Sequence, residues 1–120
     1  MKTRGEGTIV ISTFSDERSA RELAKRVLDS KLCACVNYSR IQSMYRWKGK
    51  MEDHGEIIAL FKTTRKSMEK LKKAIAKHHP YEVPEIVELK MSDVSNGYLS
   101  WLAAETSTNS ISQKRHNHAK

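Results

Sequence analysis

The chain is short of the residues that staple or punctuate a fold: two cysteines, two prolines, five glycines and 7% aromatics in 120 residues. Two cysteines cannot build a disulfide scaffold. Cys33 and Cys35 are spaced as Cys-x-Cys. On one strand that spacing turns both thiols to the same face, a poor geometry for a mutual bond, so reduced thiols are expected. No Cys-x-x-Cys or matching His pair completes a structural zinc motif. No apolar run approaches the ~18–20 residues of a membrane-spanning helix. The opening "MKTRGEGTIVISTF" is broken by Thr8, Ser12 and Thr13 and reads as a first strand rather than a signal peptide, so a cytoplasmic protein with no membrane partner is expected. A glycine-rich phosphate loop, a Gly-x-Ser-x-Gly elbow and a clear acid–base carboxylate pair are also missing, and no enzyme is expected.

Positive charge is not scarce. Twenty-two basic residues oppose fourteen acidic ones, a formal net charge of +8. Part of the excess lies in the tail after Glu105, which holds Lys114, Arg115 and Lys120 and no acid. Most of the rest falls between Lys62 and Lys77, where seven basic residues face Glu69 alone. A basic helix face can attract polyanions, but no aromatic is interleaved there to stack on bases. A solvated lysine face is the expectation, with nucleic acid set aside.

Length allows one domain. "GTIVISTF" from Gly7 is β-rich. Ser15–Asp16 offers a helix cap, and Ala20, Leu23, Ala24, Val27 and Leu28 recur at helical spacing, predicting a helix over Asp16–Ser30. Leu32–Trp47 is a long β-prone run whose alternation falters near Ser39–Arg40, which predicts a bulge. Lys48–Gly49 marks a tight turn into a return strand carrying "EIIALFKT". Thr64 caps a second helix, Arg65–His78, with Met68, Leu71, Ala74 and Ile75 inward. "HPYEVP" is a proline-stiffened connector to a strand at Glu85–Met91, and a short helix from Asn96 follows, burying Leu99 and Leu102. The order β-α-β-β-α-β plus a C-terminal helix describes an α+β ferredoxin-like sandwich with a long hairpin. Residues 1–7 form a head, 8–105 the domain, and 106–120 a polar tail expected to be disordered. The long hairpin is apolar on both faces, so self-association is expected.

Few residues carry obvious chemistry. Cys35 near a histidine would suit copper or zinc, although a Cys in "LCACV" also reads as a small buried hydrophobe. His54 sits in a polar hairpin segment and is expected to be exposed; His116 and His118 fall in the tail. His78 ends a helix, where a cation suits the dipole. His79, Tyr81 and Glu82 stand on the stiff connector and are the better site candidates.

Several motifs in order then converge: "ACVN" at Ala34–Asn37, Ser-x-Tyr-x-Trp-x-Gly at Ser43–Gly49, Glu-x-x-x-Leu-x-Lys-Thr at Glu56–Thr63, "HPYEVPEI" at His79–Ile86 and "YLSWL" at Tyr98–Leu102. Together they resemble the CutA family, the divalent-cation tolerance proteins. The resemblance implies a ferredoxin-like homotrimer in which hairpin strands pair between subunits, as in the PII signalling proteins. It implies binding of divalent cations, copper(II) first, with Cys35, His79 and Glu82 as metal ligands. Glu56, Lys62, Tyr81 and Trp101 would line an inter-subunit cleft. Cys33 departs from the family, where a non-cysteine is usual. Lys62 sits uneasily beside a metal and suits an anionic ligand, so the alternative is a PII-like module for a small metabolite. An RNA-recognition sheet and an acylphosphatase-like hydrolase share the topology. "EIIALFKT" lacks the aromatics of the first, and "TFSDERSA" lacks the glycine of the second.

Overall fold

A computed structural model describes residues 6–107. Within them lie β1 (Gly7–Phe14), α1 (Glu17–Asp29), β2 (Cys35–Trp47), β3 (Lys50–Thr64), α2 (Arg65–His78), β4 (Val87–Lys90) and α3 (Asn96–Glu105). Residues 1–5 of the expected head and 108–120 of the expected tail, His116 and His118 included, lie outside the described residues.

The four strands form one antiparallel sheet in the order β2-β3-β1-β4. Alternation decides its two faces. Val10, Ser12 and Phe14 pair with Phe61, Ala59 and Ile57 and face the helices. Ala20, Leu23 and Val27 of α1 and Met68, Leu71 and Ile75 of α2 close over them as one core. Asp16 caps α1, its carboxylate accepting from the Ser19 N–H at 2.8 Å. Thr64 stands at the N-cap of α2 in extended conformation, but its side chain makes no capping bond. α2 spans the residues expected of it, while β4 is shorter than the predicted Glu85–Met91. Met91, just past its end, still donates its N–H to the Gly7 carbonyl at 2.9 Å.

The predicted bulge does not exist. β2 and β3 pair in one unbroken register from Cys35–Lys62 to Trp47–Lys50. The faltering alternation near Arg40 marks the place where the ribbon leaves the helix layer and loses its apolar side. β1 pairs with β3 only from Ile57 to Thr64, so residues 50–56 project as a two-stranded arm. Its tip is a two-residue turn with Lys48 at φ 51° and Gly49 at φ 81°, the left-handed pair that matches strand twist.

The face away from α1 and α2 carries Ile9, Ile11, Ile58, Leu60, Val87 and Leu89. Among the described residues α3 is the one helix there, packed on β3 with Leu102 fully buried. Val87 and Leu89 stay 41% and 46% exposed, and Met44, Trp47 and Met51 stand open on the arm.

Candidate functional site

Site residues fall into two groups, marked by Glu56 and Lys62 on the open face of β3, with His79 standing on the helix side against Phe14. The first lies where the arm leaves the body. His79, the residue after α2, is buried and stacks on Phe14 with centroids 4.4 Å apart. Its Nε2 lies 2.9 Å from the Thr13 carbonyl oxygen, and its Nδ1 lies 3.0 Å from the Tyr81 backbone nitrogen. A carbonyl only accepts and an amide N–H only donates. Nε2 therefore carries the proton, Nδ1 accepts, and the ring is a neutral tautomer. Burial also pulls the imidazole below its usual pKa, against the smaller opposing pulls of the Thr13 bond and Glu56.

This strut fixes the connector and aims Tyr81. The Tyr81 hydroxyl donates to Glu56 Oε2 at 2.8 Å, and Glu56 is only 7% exposed. Burial first, then the Glu56 carboxylate, drives the phenol well above its ordinary pKa. Farther out, the Tyr45 hydroxyl lies 2.6 Å from His54 Nε2, and His54 Nδ1 lies 3.1 Å from the Gly55 carbonyl oxygen. His54 is thus partnered and half-buried, not the exposed residue expected. A cavity of about 370 Å³ opens beside this group, lined by Ser15, Arg40, Gln42, Gly55 and Glu56.

The second group sits at the other end of the same face. Cys35 pairs with Lys62 across the β2–β3 ladder, and its thiol donates to Asn37 Oδ1 at 3.7 Å. Tyr98 of α3 lies close enough to Cys35 for the thiol to raise its phenol pKa, after burial. Trp101 tilts against Tyr98 at 5.6 Å. Cys33 is not a neighbour on this face. It lies ahead of β2 in the helix-side core, where burial pushes its thiol up to about 12. The expected same-face pair is therefore split, because the strand begins only at Cys35.

The structure thus brings together His79, Tyr81 and Glu56, and separately Cys35, Lys62 and Trp101. Glu82 is exposed on the connector. Lys62 lies six positions beyond Glu56 on the strand, about 20 Å away. Among the described residues no three His, Cys, Asp or Glu side chains gather to hold a metal ion. Cys35, His79 and Glu82 do not converge within one chain, and both His79 ring nitrogens are committed to the backbone. Tyr45 and His54 were missed as a pair. Counting back from the Lys48–Gly49 turn puts Tyr45 opposite Glu52 and His54 opposite Ser43, diagonal neighbours on one face.

Known proteins share this architecture. The CutA1 divalent ion tolerance protein family model matches residues 8–105. The divalent-cation tolerance protein CutA of Pyrococcus horikoshii is 41% identical over 98 residues, 82% of this chain and 96% of the relative. That of Thermus thermophilus is 39% identical over 99 residues, again 82% and 96%. The crystal structure of CutA1 from P. horikoshii superposes with a TM-score of 0.81 at 39% identity, covering 84% of this chain and 99% of the other. CutA from Synechococcus elongatus gives 0.85 at 33%, covering 89% and 95%. By motif, fold and these matches, the chain belongs to the CutA1 divalent ion tolerance family.

Proposed function

We propose that the protein is a non-enzymatic, cytoplasmic homotrimer that binds divalent cations, copper(II) first, in clefts between subunits. The observation that carries this reading is the division of the site. Two sets of polar groups lie about 20 Å apart on one face of β3, and neither is a complete site in one chain. A head-to-tail ring sets one subunit's first group against the next subunit's second. Free edges for such a ring exist: the outer edge of β2, and residues 50–56 of β3 where β1 is missing. Exposed Val87, Leu89, Met44 and Trp47 supply apolar area to bury. Cys35 and Glu82 are the metal donors, a soft thiolate and a harder carboxylate. Glu56, Lys62, Tyr81 and Trp101 line the cleft, and His79 holds the connector in place instead of ligating.

Sedimentation equilibrium and copper(II) titration calorimetry test this on the full chain carrying His116→Ala and His118→Ala. A trimer is expected, with binding lost in Cys35→Ser and in Glu82→Gln. Mixed trimers of those two variants regain about a quarter of the sites if the donors come from different subunits. A monomer, or unchanged affinity in both variants, refutes the reading.

One observation favours the PII-like alternative. Lys62 is half-buried and has no ion-pair partner among the described residues. A buried ammonium is an anion's natural partner. A thermal-shift screen of nucleotides and organic acids, repeated with Lys62→Met, decides between them.

A further inference from the structure

We infer that the outer face of α2 is a docking strip for the phosphate backbone of double-stranded nucleic acid, bound without regard to sequence. Lys66, Lys70, Lys73 and Lys77 are all exposed and recur at helical spacing, which puts them on one outward line. None of the four has an ion-pair partner among the described residues. The helix's other cations are occupied: Arg65 reaches Glu6 at 3.9 Å, and Lys72 pairs with Glu88 at 3.1 Å and Glu69 at 3.4 Å. Glu69, the one acid of α2, thus answers Lys72.

Shape selects the partner. The four lysines span about 16 Å along the axis. Each strand of a duplex carries one phosphate per about 3.4 Å of axis, so the strip runs beside four or five of them. Within α2 it is one charge wide, with Arg26 of α1 near its C-terminal end. A membrane surface would engage a broad basic patch, and neighbouring α1 offers Glu17, Glu22 and Asp29 beside its cations. Lysine is a point charge without the planar fork that reads a base edge. The sequence set nucleic acid aside for want of stacking aromatics, but phosphate contact needs none. The strip also faces away from the open sheet face and the arm edges, so it stands clear of the proposed subunit contacts and does not depend on them.

The test is fluorescence anisotropy of the full chain with a labelled mixed-sequence DNA duplex of about 20 base pairs, from about 50 to 200 mM salt. Four phosphate contacts predict a log–log salt slope of about −3.6 per bound chain. Lys66→Gln/Lys70→Gln/Lys73→Gln/Lys77→Gln, all exposed positions, should lose at least about tenfold in affinity and most of that slope. Lys70→Gln and Lys73→Gln alone should each shrink it by about one. A duplex of unrelated sequence should bind equally well. Failure of the full chain to bind, wild-type binding by the quadruple variant, or loss of binding on neutralising Lys114, Arg115 and Lys120 instead would overturn the proposal. So would binding to phosphatidylserine vesicles without binding to the duplex.

Discussion

The Tyr81–Glu56 bond should hold the connector onto the arm root, and its removal has a calculable cost. Tyr81→Phe leaves the ring in place and deletes one hydroxyl. The Glu56 carboxylate, 7% exposed, then loses its donor. A hydrogen bond to a charged group contributes about 1.5–3 kcal/mol, and the stranded acceptor keeps its desolvation cost. Tyr81→Phe should therefore destabilise by about 2 kcal/mol. Glu56→Gln keeps an acceptor but weakens the bond, costing about 1 kcal/mol, and the double variant should cost about 2 rather than 3, a coupling near 1 kcal/mol. Urea unfolding at one fixed protomer concentration measures all four corners, because assembly makes stability depend on concentration. The phenol supplies a second signature. Its folded pKa is raised above the ordinary 10.0, so its contribution is complete below pH 10 and is lost as pH climbs toward the folded value. Tyr81→Phe should flatten the alkaline fall in stability. A cost below about 0.5 kcal/mol with no coupling would show that the bond holds nothing.

Three further outcomes follow from the same geometry. His79 has a folded pKa below 6.5, so its stabilisation is present above that pH and lost as pH falls through the folded value. His79→Gln, which still donates to Thr13, should lose less melting temperature between pH 7 and pH 5 than the wild type, and an equal loss refutes the neutral strut. Iodoacetamide at pH 8 should label Cys35 and spare buried Cys33 until the chain is unfolded, as peptide mass spectrometry would read. Ile75→Ala, at a fully buried core position, should cost about 2–5 kcal/mol in the same urea assay.

Helices were easy to read because their signals are local. The Met68–Leu71–Ile75 stripe and the His79–Pro80 stop frame α2 within its own residues. The arm was legible from its turn, but its register was misjudged at Arg40, where the pattern records the end of the helix layer and not a break in the ladder. Cys33 was placed wrongly because two-residue spacing implies a shared face only inside a strand, and Cys33 precedes β2. His79 was identified as important but its role could not be read. Its partner is a carbonyl 66 residues away, and any residue at position 13 would offer the same atom. Glu56 and Tyr81 were both named for the cleft, yet their pairing depends on the packed end of β1 and on the strut.

The unbroken β3 strand also acts as a ruler. Glu56 and Lys62 share a face because they stand an even number of positions apart, six. One residue inserted between them would turn one of the two toward the helices while leaving composition, charge and hydropathy almost untouched. Two inserted residues would restore the face and move the groups about 7 Å farther apart. Length changes in this strand should therefore be tolerated only in pairs, and even then only if a neighbouring subunit can follow the longer span.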